Sequence, residues 1–414
     1  MICLRALGIV CEYNPFHFGH LYQMEESRKI AGDAAVVCVM SGDFVQRGEA
    51  ALMDKFARAE AACRCGADLV VELPLPWCLS SAEGFARGAV SILNALGCSF
   101  LSFGCETEQL NELEMLAEKL LDPETRESIQ VRIREDAALS YAQARQLTLE
   151  SSLGDTAALL TQPNSILAVE YLKAIRQLQS SMQPIAIRRQ GAGHDEKSDG
   201  MFRSASQLRV MFDEGEAIDS FLPAQSAQML LREKQAGNCR SPEKLELALL
   251  SRLYSLTEED FERLPDASDG AGRKLYKTLR EGYSLEETVQ RASTRRYTKS
   301  RMRRILLCAA LDVKPAYSAG ILPYARILAA SERGRAYLSE NRDTIQIPLV
   351  TKPASVKKLD ARAQELFERG SAAHDLYVLQ KSAKEHPALG EDWRRGPFIG
   401  QFDENTHTPP DEFG

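Results

Sequence analysis

Short, largely apolar runs, separated by stretches of helical length, most narrow the folds open to this chain. Leu4–Val10, interrupted only by Arg5 and Gly8, is the first; Ala34–Met40, Ala67–Leu73, Phe100–Gly104 and Pro184–Arg189 follow. A strand with one wet face alternates apolar and polar side chains, so runs without alternation are covered on both faces. His20–Ala31, Asp54–Cys65 and Ser81–Leu96 lie between these runs and read as helices, with Asp54 as an N-cap and Gly97 as a C-cap. Buried strands alternating with helices predict a doubly wound α/β domain with a parallel sheet over about residues 1–215.

The pattern then changes. From Asp213 to about Leu311 it is helical, broken by polar loops such as Pro265–Gly272. Ile345–Lys352 reads as one strand that Pro348 confines to a sheet edge, and helix resumes over about Ala354–Lys384. These features predict a mainly helical domain over 216–390 and a loose polar tail over 391–414. A formal charge of −7 argues against a protein that coats nucleic acid, so an RNA partner needs a local basic patch. Most of the ten cysteines sit in apolar runs, as Cys38 does, and read as small core residues. Cys63 and Cys65 lack the further ligands of a zinc site, and no metal ligands are assigned. Neither a cleavable apolar leader nor a stretch near the ~20 residues of a membrane span is visible. The expectation is a cytoplasmic protein in a reducing compartment, with no membrane partner.

The chemistry is concentrated in Gly8–Leu21, GIVCEYNPFHFGHL, which leaves the first strand and opens the first helix. In open α/β sheets ligands lie beyond the carboxyl ends of the strands, at the switch point of the strand order. The common order 3-2-1-4-5 puts Gly104, ending the fourth strand, opposite this loop, where a base or ribose can lie against bare backbone. Gly19 removes a side chain where backbone must approach a ligand. The helix N-terminus offers N–H groups to phosphate. His17 and His20 are three apart, so both can reach one spot. Imidazole donors can stabilise phosphate oxygens that gain charge in the transition state, a role worth ~10²–10³ in rate. The competing reading is two surface or capping histidines. From the residues alone, the expectation is adenylyl transfer to a small nucleophile, with a basic RNA-facing region.

His17-Phe18-Gly19-His20 resembles the HxGH signature of the nucleotidylyltransferase superfamily, Rossmann-like enzymes that attack the α-phosphate of ATP and expel pyrophosphate. Ser204–Arg209 is similar to that superfamily's second signature, S-S-T-x-I-R, and departs from it at Ala205 and Ser206. The resemblance implies phosphate contacts from Ser204 and Arg209; an N-cap and a surface arginine are the alternative. Longer stretches, among them Met40–Ala62, Gly66–Pro74, Leu101–Glu106, Gln162–Ile175, Arg295–Leu306 and Ala325–Leu338, resemble bacterial tRNA(Met) cytidine acetate ligases, and the likeness runs over roughly residues 5–385. That family activates acetate with ATP as acetyl-adenylate and acetylates N4 of the wobble cytidine of elongator tRNA(Met). The resemblance implies His17 and His20 as catalytic residues. It implies ATP contacts from Val10, Cys11, Glu12, Tyr13, Asn14, Pro15, Phe16, His17, Phe18, Gly19, His20 and Leu21, and from Gly104, Asn164 and Arg189. The chain departs from the family pattern at Ser165 and Ala168, beside Asn164. ATP is the implied cofactor, with Mg²⁺ on its β- and γ-phosphates.

The dense basic run Arg291–Arg304 is unusual in an acidic chain. Arg295, Arg296, Lys299, Arg301, Arg303 and Arg304 are the expected tRNA-binding residues, with Tyr297 placed to stack on an unpaired base. The competing reading is a charged helix face without a partner. Lys55 and Arg58, at i and i+3, either hold phosphate or are solvated. Two rival functions remain open at this point: a metabolic adenylyltransferase acting on a phosphorylated small molecule, which needs no basic run, and a non-catalytic RNA-binding factor.

Overall fold

A computed structural model describes residues 4–136, 139–190, 202–318, 320–381 and 389–400. Cys3, the expected helix beyond residue 381 and the tail beyond residue 400 lie outside the described residues. In chain order the elements begin β1 Ala6–Cys11, α1 Phe18–Ala31, β2 Ala35–Ser41, β3 Phe44–Val45, β4 Glu49–Ala50, α2 Lys55–Arg64, β5 Leu69–Leu73, α3 Ala82–Leu96 and β6 Phe100–Cys105. A helical excursion follows, α4 Leu110–Leu121, α5 Pro123–Glu135, α6 Tyr141–Leu153 and α7 Pro163–Gln177, before β7 Gln183–Arg188. Then come α8 Ala205–Asp213, α9 Ala224–Gln235, α10 Pro242–Leu253, α11 Glu258–Glu262, α12 Ala271–Leu279, α13 Leu285–Ala292 and α14 Lys299–Ala310. The chain closes with β8 Ala325–Ala330, α15 Glu332–Glu340, β9 Leu349–Val350, α16 Ala361–Val378 and β10 Phe398–Ile399.

Strands β5-β2-β1-β6-β7 are parallel and adjacent in that order, the expected doubly wound arrangement. All seven residues of β2 are buried, as a central strand covered on both faces requires. Helix α3 begins at the Ser81 cap, whose hydroxyl accepts from Gly84 N–H, and stops at Gly97, which takes φ 83°. Asp54 caps α2 by accepting from the Ala57 N–H. One core cluster packs α3 and α7 against the sheet and runs on into the helical second half. A second lies between the opposite face, α1 and α2.

Three expectations about the second half need correction. The chain does not leave the sheet at residue 215: β8 pairs antiparallel with β5, and β10 pairs with β8. The segment Ala325–Ala330 is buried throughout, because it is an interior strand of the same sheet. Ile345–Lys352 contributes only Leu349–Val350 as strand, paired with β8. Residues 391–400 are not a loose tail. Asp392 is fully buried, with its carboxylate 2.8 Å from Lys55 Nζ and 2.9 Å from Arg326 Nη1. The polar composition of this segment reflects buried ion pairing.

Lys55 and Arg58 are likewise neither phosphate ligands nor solvated. Lys55 lies between Glu72, at 2.8 Å, and Asp392. Arg58 is fully buried and donates to the carbonyls of Glu12 (2.6 Å), Met53 (3.0 Å), Ser41 (3.1 Å) and Gly42. It thereby ties the loop after β1, which flanks the switch point between β1 and β6, to the loop after β2.

Candidate active site

The loop after β1 is held by its own polar atoms. Asn14 Oδ1 accepts from Leu52 N–H at 2.7 Å, and its carbonyl accepts from Arg209 Nη1 at 3.0 Å. Phe16 O accepts from Ser226 Oγ at 2.7 Å, and Glu12 Oε1 from Gln46 N–H at 2.8 Å. Tyr13 sits at φ 44°, a left-handed conformation that costs an L-residue roughly 1–2 kcal/mol. Ring packing offsets that strain: Tyr13 lies edge-on to Phe16 at 4.6 Å and to His20 at 5.0 Å, and its hydroxyl meets Cys38 Sγ at 3.4 Å. Backbone strain over-determined by its surroundings is typical of functional loops.

The two histidines meet. Their rings stack with centroids 3.8 Å apart. His17 is the N-cap of α1: its Nδ1 accepts from Gly19 N–H at 3.0 Å, while its own N–H donates to His20 Nδ1 at 3.3 Å. In this arrangement the imidazoles occupy helix-terminal N–H groups that a phosphate was expected to take. With both Nδ1 atoms accepting, each neutral ring carries its proton on Nε2. Burial, followed by the positive charges of Arg189 and Arg209, pulls the His17 pKa down to about 3. Burial, His17 and Arg189 likewise hold His20 well below the usual histidine value. Neutral imidazoles offer Nε2–H donors without an added charge.

A sign follows for pH. A histidine held neutral in the fold binds a proton when unfolded, so its stabilising contribution is present above pH 6.5 and falls as pH drops toward about 3. The ring signals of His17 in the ligand-free protein are therefore expected to stay at their neutral NMR positions from pH 8 down to about 4. A midpoint near 6.5 would remove this account of the site.

A cavity beside the pair is lined by His17, Gly19, Gln23, Gly104, Arg189 and Ser204, among others. The structure thus gathers five positions expected from sequence, His17, Gly19, Gly104, Arg189 and Ser204, around one space. Gly104 faces Arg189: a Cβ there would stand 3.3 Å from Arg189 Cγ. The Nε atoms of Arg189 and Arg209 are buried without hydrogen-bond partners, leaving donors that suit an anion. A Cβ on Gly19 would lie 2.9 Å from His17 Cε1. Gly19→Ala is expected to turn the His17 ring and break its cap, lowering turnover at least tenfold while the melting temperature shifts only a few degrees. Steady-state rates and a thermal melt check both parts.

Other expected positions have different surroundings. Asn164 does not line this cavity; its N–H and Nδ2 both donate to Glu106 Oε1, while Ser165 N–H and Oγ donate to Glu106 Oε2. Ser204 caps α8, accepting from Gln207 N–H. Cys11, Tyr13 and Phe16 belong to the core behind the loop. Val10, Pro15, Phe18 and Leu21 flank them in the same segment. The roles of Arg58 and Gln46 were not legible in sequence, because each acts through atoms of the β1 loop that are remote along the chain.

In the basic run, Tyr297 cannot stack on a base as expected: it is buried and donates to the carbonyl of Asp269. Arg301 donates to Asp266 O at 2.9 Å, Arg304 pairs with Asp266 at 2.9 Å, and Arg296 lies 3.6 Å from Asp269. Arg303 pairs with Glu49 and Glu286. Arg295 and Lys299 are exposed.

Comparison with known proteins places this geometry. The model of the HIGH Nucleotidyl Transferase family matches residues 4–391. A tRNA(Met) cytidine acetate ligase of Caldanaerobacter subterraneus subsp. tengcongensis is 36% identical over 91% of this chain and 95% of its own length. That of Syntrophotalea carbinolica is 38% identical over 84% of this chain and 85% of its own. The crystal structure of Thermotoga maritima TmcAL bound with alpha-thio ATP superposes with a TM-score of 0.90 at 29% identity, covering 96% of this chain and all of that one. With its paired histidines at the switch point and a family match over nearly the whole chain, this protein belongs to the HIGH nucleotidyl transferases and, within them, to the tRNA(Met) cytidine acetate ligase family.

Proposed function

We propose that this chain is an ATP-dependent ligase that forms N4-acetylcytidine at the wobble position of elongator tRNA(Met), through acetyl-adenylate. The stacked pair His17 and His20, beside a cavity that also holds Arg189, is the observation that carries the catalytic part. The names of the relatives supply the substrates.

In the first step a carboxylate oxygen of acetate attacks the α-phosphorus, the bond to the bridging oxygen breaks, and pyrophosphate leaves. The protein need not form a covalent bond; positioning and charge stabilisation carry the step. Nε2–H of His17 and His20 hydrogen-bonds oxygens that gain charge, and Arg189 neutralises phosphate. In the second step cytidine N4 attacks the acetyl carbon, AMP departs and N4 loses a proton. Among the described residues no group of three or more His, Cys, Asp or Glu is placed to hold a metal. Mg²⁺ commonly keeps several waters and binds through substrate phosphates, so the Mg²⁺ of this reading arrives with the nucleotide. Arg295 and Lys299, on the exposed side of the basic run, are the first candidates for tRNA phosphates, and Arg296, Arg301, Arg303 and Arg304 would have to exchange acidic or carbonyl partners for RNA. The protein acts in the cytoplasm on this reading; no helix of the described residues is long and apolar enough to cross a membrane.

The test is AMP and pyrophosphate formation from ATP with acetate, with and without elongator tRNA(Met), followed by nucleoside analysis of the tRNA. Acetylated cytidine is the expected product. Turnover that ignores acetate and tRNA but responds to a phosphorylated small molecule would move the enzyme to the metabolic adenylyltransferases. No turnover with any nucleophile would leave an RNA-binding factor.

A further inference from the structure

A groove of about 670 Å³ lies between the β3–β4 hairpin, α8 and the helices α10, α13 and α14. It lies apart from the cavity beside the histidines. Leu245, Leu249, Val289 and Leu306 give it an aliphatic floor. Its wall nearest the active-site loop carries three arginines whose guanidinium groups converge on one carboxylate. Glu49 Oε1 is 2.9 Å from Arg303 Nη1, and Oε2 is 3.6 Å from Arg209 Nη2 and 4.0 Å from Arg240 Nη1.

Other groups hold these arginines in place. Arg240 pairs with Asp213, and Arg303 Nη2 lies 2.8 Å from Glu286. Arg209 is anchored by Asn14 O and by Ser206 Oγ at 3.2 Å. The Arg209 side chain is 7% exposed, and its buried Nε has no partner. Asp213 and Glu286 thus take one side of Arg240 and of Arg303, whereas Arg209 has Glu49 as its carboxylate, at 3.6 Å, and keeps an unpaired Nε, although a guanidinium fork matches two oxygens of a phosphate. A phosphodiester carries the same single negative charge on two free oxygens, and at this position it would receive the donors Glu49 now shares.

We propose that this groove is a subsite for single-stranded RNA. It takes a nucleotide flanking the target cytidine, with its phosphodiester on Arg209, Arg240 and Arg303 in place of the Glu49 carboxylate, and its base on the aliphatic floor. The inference rests on the tRNA reading above and adds to it where the strand runs. RNA is favoured over the triphosphate because the far wall is α14, the helix that opens at exposed Lys299. Arg209 links the groove to the active-site loop, since it lines the groove while donating to the carbonyl of Asn14.

The experiment titrates full-length elongator tRNA(Met) onto the full chain at several salt concentrations, and in parallel measures KM for ATP in the acetate-dependent reaction. Glu49→Gln keeps the shape and removes the competing charge, so tRNA should bind more tightly with KM for ATP unchanged. Arg240→Ala should weaken tRNA binding roughly tenfold, the value of a charge-assisted hydrogen bond. It should also reduce the slope of log affinity against log salt by about 0.7, one single-strand phosphate contact. Unchanged affinity and slope in both variants would overturn the proposal. So would weaker tRNA binding by Glu49→Gln with a lowered melting temperature, which would make the cluster an internal clamp. A changed KM for ATP with unaltered tRNA binding would assign the phosphate to the nucleotide. If the wild type does not acetylate tRNA(Met) at all, the functional reading falls and the subsite falls with it; if it does and the variants bind normally, only the subsite falls.

Discussion

His20→Ala is expected to lower acetate-dependent ATP turnover about 10²–10³-fold, the usual cost of deleting one preorganised donor to a developing oxyanion. The stacked geometry adds a second consequence. His20 Nδ1 accepts the N–H of His17, so its loss also frees the ring that caps α1. Losing an N-cap costs roughly 0.5–2 kcal/mol, which is small beside the rate effect. The variant should therefore remain folded, with a melting temperature within several degrees of the wild type. Because the two imidazoles act as a unit, the double variant His17→Ala/His20→Ala should be scarcely slower than the worse single variant. Single-turnover adenylate formation is the measurement. A His20→Ala enzyme within threefold of wild type would reduce the pair to a helix cap.

Lys55→Met is expected to destabilise the fold by about 3 kcal/mol or more without touching the nucleotide site. Lys55 is 1% exposed and bridges Glu72 on β5 to Asp392 near the C-terminus. Removing it strands two buried carboxylates, and Arg326, 2.9 Å from Asp392 and 3.8 Å from Glu72, compensates only in part. Beside this pair, His374 is wholly buried between Asp43 at 2.9 Å and Glu391 at 3.1 Å. Burial opposes its charge, but the two carboxylates prevail and raise its pKa to about 10. Burial likewise opposes the charge of Glu391, yet His374 and Arg395 bring it down to about 2.

A raised histidine stabilises fully below its unfolded value of 6.5 and loses that contribution as pH rises through about 10. A lowered carboxylate stabilises fully above 4.5 and loses it as pH falls through about 2. Both contributions are complete between pH 4.5 and 6.5. Urea unfolding at pH 6 and at pH 9 should show a decline in the wild type that His374→Gln largely removes, at the cost of lower stability throughout. Equal stability of Lys55→Met and wild type in the same titrations would contradict the network.

The sequence by itself determined the parallel five-strand order, the helices between the strands and the loop that holds the chemistry. These follow from local signals: apolar runs long enough for one buried strand, Asp54, Ser81 and Gly97 at helix ends, and His17, Gly19 and His20 within four residues. Tertiary structure alone decided where the charges went. Lys55 and Arg58 read along the chain as either phosphate ligands or solvated residues and Arg303 as a tRNA contact, and the fold gives each a partner from a distant segment: Asp392 for Lys55, the carbonyls of two loops for Arg58, and Glu49 for Arg303. Likewise Tyr297 looked like a base-stacking platform and instead closes the loop at Asp269. Segment 391–400 read as a tail because its polar residues are balanced across hundreds of positions. Periodicity and caps report forces between neighbours in sequence, whereas a buried charge is tolerated only where the fold brings an opposite charge within a few ångströms.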